Sequence, residues 1–201
     1  RNISFNFCLL ISSYFLIISA IIWGKKKNYN TTFAALISII AFQISMIYTK
    51  RETATKREMI VYHTKSNSVT SQKNGGRIKV FSNDTHLLQS PKATLLSSYL
   101  SSDFSQSSAT VSIKNLLYFN GKKILVIDSS GVYKISSPPD IVLLIQSPKI
   151  NLDRVLQELH PKIIIADASN SYSIQKIWKS SCRKKNIPFH ATAEKGFYSL
   201  N

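Results

Sequence analysis

Four histidines, two strand-end aspartates and two cysteines are the side chains best suited to catalysis or metal binding in this sequence. His63, His86, His160 and His190 stand far apart, and none forms an HxH, HExxH or His–Cys pattern. Without a second ligand at close spacing, each reads as an ordinary strand-end or surface histidine. Asp128 and Asp167 end apolar runs, ILVID and IIIAD. Active sites of α/β folds collect at such strand ends, but any acidic residue must also wait there for a buried strand to emerge. Cys8 and Cys182 are too few for a paired-cysteine zinc site. Cys182 precedes Arg183, Lys184 and Lys185, cations able to lower a thiol pKa. No histidine or acid lies nearby in sequence, so it reads as a structural thiol. GxSxG, GxGxxG and P-loop motifs are absent, and Ser129-Ser130-Gly131 reads as a turn. An unusual nuclease centre built from Asp128, Asp167 and His190 is the enzymatic alternative.

Positive charge is the second chemical signal. The 201 residues carry 26 Lys and Arg against 10 Asp and Glu, a net +16. No acid precedes Glu52. Cations cluster at residues 25–27, 50–57, 122–123 and 183–185. Such clusters attract phosphate, whether of nucleic acid or of lipid headgroups. Aromatics interleave loosely with them, at Tyr118, Phe119, Tyr133, Tyr172 and Trp178. A very apolar front and a polar, basic rear exclude a simple soluble domain, a disordered chain and a disulfide scaffold. The chain opens on Arg1 rather than Met, the mark of a fragment or processed product.

The front must be placed in or out of a bilayer. Residues 3–23 (ISFNFCLLISSYFLIISAIIW) hold no charge, and at about 1.5 Å per residue they reach roughly 31 Å, the hydrocarbon thickness. Residues 32–48 form a second uncharged run at the short limit. The first run is too long for a signal peptide and ends in Trp-Gly-Lys rather than a cleavage pattern. Neither run shows the polar face of a surface helix. Two transmembrane helices over residues 1–50 are expected, with Trp23 and Tyr48 at the interfaces. Lys25, Lys26 and Lys27 favour a cytoplasmic connecting loop and an extracytoplasmic rear. Lys50, Arg51, Lys56 and Arg57 pull the other way, but long domains translocate with little regard to charge.

Residues 51–58 form a charged stalk, and 59–201 one α/β domain. Residues 59–63 (MIVYH) and 78–81 (IKVF) read as strands, with Asn74-Gly75-Gly76 a turn in a connection too long for a tight hairpin. Residues 87–100 fit a helix or a strand, and the serine-rich stretch 97–112 a surface loop or insert. LLYF, Asn120-Gly121 and ILVID (116–128) form a strong hairpin signature; a short strand follows at 131–135. Residues 140–145 (DIVLLI) and 163–166 (IIIA) are continuous apolar runs, hence buried strands. Leu152, Val155, Leu156 and Leu159 line one helical face. Residues 174–185 form a second amphipathic helix with Ile174, Ile177, Trp178 and Ser181 inward. Strands open at Pro188 and close the chain at 197–200.

Residues 140–201 carry a family resemblance. DIVLLIQSPKINLDRVLQELHPKIIIADASN and IWKSSCRKKNIPFHATAEKGFYSL resemble the C-terminal end of ComEC-type competence proteins. Those are polytopic membrane proteins implicated in passing single-stranded DNA across the inner membrane during natural transformation. Many end in an extracytoplasmic metallo-β-lactamase-like domain, in which a strand leads to a Gly-His-His-Gly-Ser motif, a helix, then "PK" and an Ile-rich strand. Here Gln146-Ser147-Pro148 stand at the histidine motif, no HxHxDH precedes them, and residues 166–170 (ADASN) contain no histidine. A hydrolytic site needs about three protein ligands per ion and an open position for water; Asp128 alone matches. The resemblance therefore implies a degenerate, metal-free metallo-β-lactamase-like fold behind a membrane hairpin, with no enzymatic activity and no cofactor.

The expected function follows: the C-terminal part of a DNA-uptake protein of the plasma (inner) membrane, its basic domain contacting single-stranded DNA near the channel. Lys122, Lys123, Lys149, Arg183, Lys184 and Lys185 are the expected contacts, and other DNA-uptake components the expected partners beside the bilayer. A membrane-anchored structural or protein-docking module is the alternative. Liposome binding without DNA binding separates the two.

Overall fold

The computed structural model describes residues 7–64, 67–75, 77–84, 106–133 and 137–201. Residues 87–100 and His86 lie outside them. Two long helices come first, α1 (Phe7–Lys25) and α2 (Tyr29–Thr55). They pack as a hairpin. Ser19 and Ser38 hydroxyls meet at 2.7 Å, and Trp23 Nε1 donates to Thr32 Oγ1 at 3.0 Å. Their large apolar side chains face outward, Phe15 at 67% and Ile44 at 62% exposure. Both helices are long and apolar enough to cross a membrane. The charged segment 51–58, expected as a helical or extended stalk, is helical over its first part. It continues α2 to Thr55, where Lys56 turns extended (φ −63, ψ 131). Arg57 and Glu58 already belong to the first strand, β1 (Arg57–Val61).

A mixed α/β domain follows, its described residues forming two five-stranded sheets. The first sheet contains β1, β2 (Val69–Asn74), β3 (Arg77–Ser82), β4 (Gln106–Ser112) and the chain's last strand, β10 (Tyr198–Leu200), in the order β10-β1-β2-β3-β4. All neighbours are antiparallel except β3 and β4, which run parallel. β2 (VTSQKN) escaped the pattern reading because it is polar. It survives between β1 and β3 because its polar atoms find partners: Ser71 bonds Tyr62 Oη at 3.0 Å, and Gln72 Nε2 donates to the Tyr118 carbonyl at 3.2 Å. The turn at Asn74 is therefore tight after all. It joins β2 to β3, with Asn74 opposite Arg77 and Gly75 at φ +65. The end of the serine-rich stretch is the strand β4, not a loop.

The second sheet contains β5 (Leu116–Phe119), β6 (Lys122–Ile127), β7 (Ile141–Leu144), β8 (Ile163–Ala166) and β9 (Phe189–Ala191), in that order. β5 and β6 form the expected hairpin, with Asn120 (φ 46) and Gly121 (φ 73) supplying the left-handed turn. β6 to β9 run parallel. The expected strand at 131–135 does not appear: residues 131–133 are irregular, and the remainder lies outside the described residues. Helices α3 (Leu152–Leu159) and α4 (Tyr172–Lys184) cross from β7 to β8 and from β8 to β9, and a short α5 (Thr192–Lys195) precedes β10.

Two apolar layers explain the order. Met59, Val61, Leu117, Val126, Leu143 and Ile165 fill the space between the sheets. Leu125, Val142, Val155, Ile164, Trp178 and Cys182 fill the space between the second sheet and its helices. Strands β6 to β8 thus alternate between two cores and must be apolar at every position. The first sheet's other face, with Ile60, Ile78 and Val80, is buried too. On α4 the inward residues are Gln175, Trp178, Ser181 and Cys182. Ile177, expected inward, is 65% exposed. Rotating the helix to bury Ile177 would remove Cys182 from the core, and a thiol at 0% exposure fits the tight layer over the small Ala166.

Candidate functional site

Because β6 to β9 are parallel, the residues following them emerge at one edge of the sheet. Asp128 follows β6, Gln146 and Ser147 follow β7, and residues 167–170 follow β8. This edge is knitted together by its own polar atoms. Ser169 donates through N–H (3.1 Å) and Oγ (2.5 Å) to Asp167 Oδ1, and Asn170 Nδ2 donates to the same oxygen at 2.9 Å. The Gln146 N–H donates to Ser169 Oγ at 2.7 Å, and the Ser147 N–H to Asn170 Oδ1 at 2.8 Å. Ser147 Oγ in turn accepts the Ser171 N–H at 2.8 Å. Ser68, in the first sheet's β1–β2 connection, reaches Ser169 Oγ at 3.1 Å and also bonds the Asp167 carboxyl. The network ties the two sheets together at this edge.

Asp167 is 1% exposed, and burial pushes its pKa up to about 6 against the bonds it accepts from Ser169 and Ser68. Gln146 (φ 58) and Ser147 (φ 53) are consecutive left-handed non-glycine residues, a conformation that costs about 1–2 kcal/mol each. The bonds from their N–H groups into Ser169 and Asn170 hold them there. Asp128 makes a smaller copy of the same turn, accepting from Ser130 N–H at 2.9 Å and from its hydroxyl. Asp-x-Ser thus recurs at the ends of β6 and β8. Their strands are two places apart in the sheet, so the two turns are roughly 10 Å apart at about 4.8 Å per strand.

The three described histidines are elsewhere. His190, in β9, pairs with Ile165 of β8, its ring edge-on to Tyr198 (4.9 Å) and its Nε2 3.1 Å from the Gly196 carbonyl, at the junction of the sheets. His160 is the left-handed C-cap of α3 (φ 46), and His63 is exposed after β1. Asp128, Asp167 and His190 are not brought together, and no group of three metal-ligating side chains occurs among the described residues. Cys182 is buried in the helix–sheet core; burial, with a smaller contribution from Asp153, pushes its thiol up to about 12. The cations following it in sequence do not offset that.

The six expected cationic contacts do not share a face. Lys149 sits at the carboxyl edge, in the loop after β7. Lys122 and Lys123 open β6 at the opposite edge. Lys123 is engaged there: its N–H donates to Asp140 Oδ2 at 2.9 Å and its ammonium to the Ser137 carbonyl at 3.0 Å. Lys162 pairs with the same Asp140 at 2.8 Å. Lys162 and Lys123 hold that carboxyl below its usual range. Arg183 and Lys184 end α4 and Lys185 caps it, at the same edge but beside β9, three strands and roughly 15 Å from β6. Lys176, near the start of α4, was not among the expected contacts, and Tyr172 entered only as one of the loosely interleaved aromatics. Tyr172 is 62% exposed, and Lys176 Nζ lies 4.8 Å from its ring centroid. The expected helix begins at 174, so the i, i+4 relation of Tyr172 and Lys176 follows only from the helix starting at Tyr172.

A family model, the ComEC C-terminal domain, matches residues 59–201. No curated protein matches the chain.

Proposed function

The chain belongs to the ComEC C-terminal-domain family, and on that premise we propose that it is the C-terminal part of a membrane DNA-uptake protein whose basic domain holds single-stranded DNA without cutting it. The observation that carries the reading is the family match over the entire region behind the apolar helices. The two helices anchor the domain in the inner membrane. The lysine loop between them, with Lys25, Lys26 and Lys27, stays cytoplasmic and leaves the domain outside. The sheet-on-sheet core with helices on the outer face supports reading the domain as a degenerate metallo-β-lactamase-like fold. Its strand-end loops spend Asp167, Ser169, Asn170 and the backbone of Gln146 and Ser147 on one another. That supports a scaffold role for the edge where a hydrolase would hold its ions.

The test uses the full chain in nanodiscs of uncharged lipid. A labelled single-stranded oligonucleotide should bind, with affinity falling with salt at a slope of about −0.7 per phosphate contact. The oligonucleotide should remain intact with Mg²⁺, Mn²⁺ or Zn²⁺ added, and the purified protein should hold no stoichiometric metal. Absence of binding at low salt overturns the nucleic-acid role; metal-dependent cleavage overturns the scaffold role. Binding to anionic vesicles without DNA binding would assign the charge to the bilayer.

A further inference from the structure

The outer face of α4 has a chemistry of its own. The buried positions Gln175, Trp178, Ser181 and Cys182 fix the helix rotation. They leave Tyr172, Lys176, Ser180 and Arg183 in one outward stripe, with Ile177 and Lys184 beside it. The helix contains no acidic residue. The nearby Glu194 is taken by Lys179 at 2.6 Å. Lys176, Arg183 and Lys184 form no ion pair among the described residues. By contrast, α3 on the same layer carries Asp153 and an Arg154–Glu158 pair at 2.6 Å. Two large side chains are also displayed here, Tyr172 at 62% and Ile177 at 65% exposure.

We propose that this face of α4 is the nucleic-acid contact, with the Tyr172 ring stacking on an unpaired base while Lys176, Arg183 and Lys184 bind the flanking phosphates. The proposal rests on the DNA-holding reading above and gives it a place and a strand preference. Charge alone would serve a lipid headgroup equally well. An exposed planar ring with a cation against it, on a rigid helix, is what a single strand uses: bases stack on aromatics whatever their sequence, and phosphates bind the surrounding cations. Duplex DNA hides its base faces and cannot use the ring. The face therefore selects single strands.

The experiment compares oligothymidylate with a duplex of equal length, binding to the full chain in uncharged nanodiscs. The parent should prefer the single strand. Tyr172→Ala should weaken single-strand binding roughly tenfold or more, leaving duplex binding and the salt slope unchanged. Arg183→Gln with Lys184→Gln should make the slope shallower by about 1.4. All are exposed positions, and an unchanged melting temperature confirms the fold. If Tyr172→Ala binds single strands like the parent, or if Lys122→Gln with Lys123→Gln carries the change in slope instead, the α4 assignment is overturned while the DNA-holding reading stands. If the parent binds neither nucleic acid, both fall. If the α4 variants lose affinity for phosphatidylglycerol vesicles but keep their DNA affinity, the face serves the membrane and the assignment is overturned.

Discussion

Asp167 is buried beneath Ser68 and Ser169, with burial raising its pKa from 3.8 to about 6. Between those values the folded chain holds a proton that the unfolded chain has released. Its contribution to stability is therefore fully present below about pH 4 and is lost as pH rises through 6, a change of about 3 kcal/mol. Asp140, Glu158 and Glu194 work in the opposite direction. Lys162, Arg154 and Lys179 respectively hold them below their ordinary values, so their contribution is lost as pH falls. Those three groups are solvent-facing and weakened by salt. Asp167→Asn keeps an oxygen to accept the Ser169 and Asn170 bonds and removes the titration. Melting curves from pH 4 to 7 should show the variant gaining on the parent as pH rises. A difference between them that does not vary with pH would show that Asp167 does not titrate in this range.

At the scale of elements, the turn after β7 stores strain that its neighbours offset. Gln146 is left-handed at φ 58 without being glycine. Gln146→Gly should be neutral or stabilising, because relief of about 1–2 kcal/mol outweighs glycine's entropy of about 0.5–1 kcal/mol. Gln146→Val should cost at least about 1 kcal/mol, since a β-branched side chain tolerates this region worst. Chemical denaturation of both variants orders them, and equal stabilities would show that the turn relaxes freely. The helix layer offers a second test. Trp178 is 3% exposed between α4 and the sheet. Trp178→Ala should cost about 3–5 kcal/mol, whereas Ile177→Ala, on the exposed side, should change stability by less than about 0.5 kcal/mol. A comparable loss from Ile177→Ala would place the helix in a different rotation.

At the scale of the whole molecule, the proposed topology puts the 25–27 loop and the α/β domain on opposite sides of the bilayer. Ser180→Cys in a Cys8→Ala background tests this, because Ser180 is exposed on α4 and Cys182 is buried with a raised thiol pKa. An impermeant maleimide applied to intact cells should label Ser180→Cys and spare Lys26→Cys. The reverse pattern would invert the hairpin.

Spacing alone determined much of this protein. Two uncharged runs gave the helical hairpin, Asn120-Gly121 between apolar runs gave the β5–β6 turn, and the unbroken DIVLLI and IIIA strings gave strands buried on both faces. These are local signals, written in periods of two and 3.6 residues or in chain length. The polar strand β2 was illegible because its burial depends on β1 and β3 arriving on either side. The Asp167 network joins Ser68 to Ser169 across a separation of 101 residues, which no local pattern records. Cation clusters separated in sequence did not become one surface. Parallel crossovers return each helix to the edge its strand left, so tertiary structure alone decided which charges share a face and that Ile177 stands outside with Tyr172.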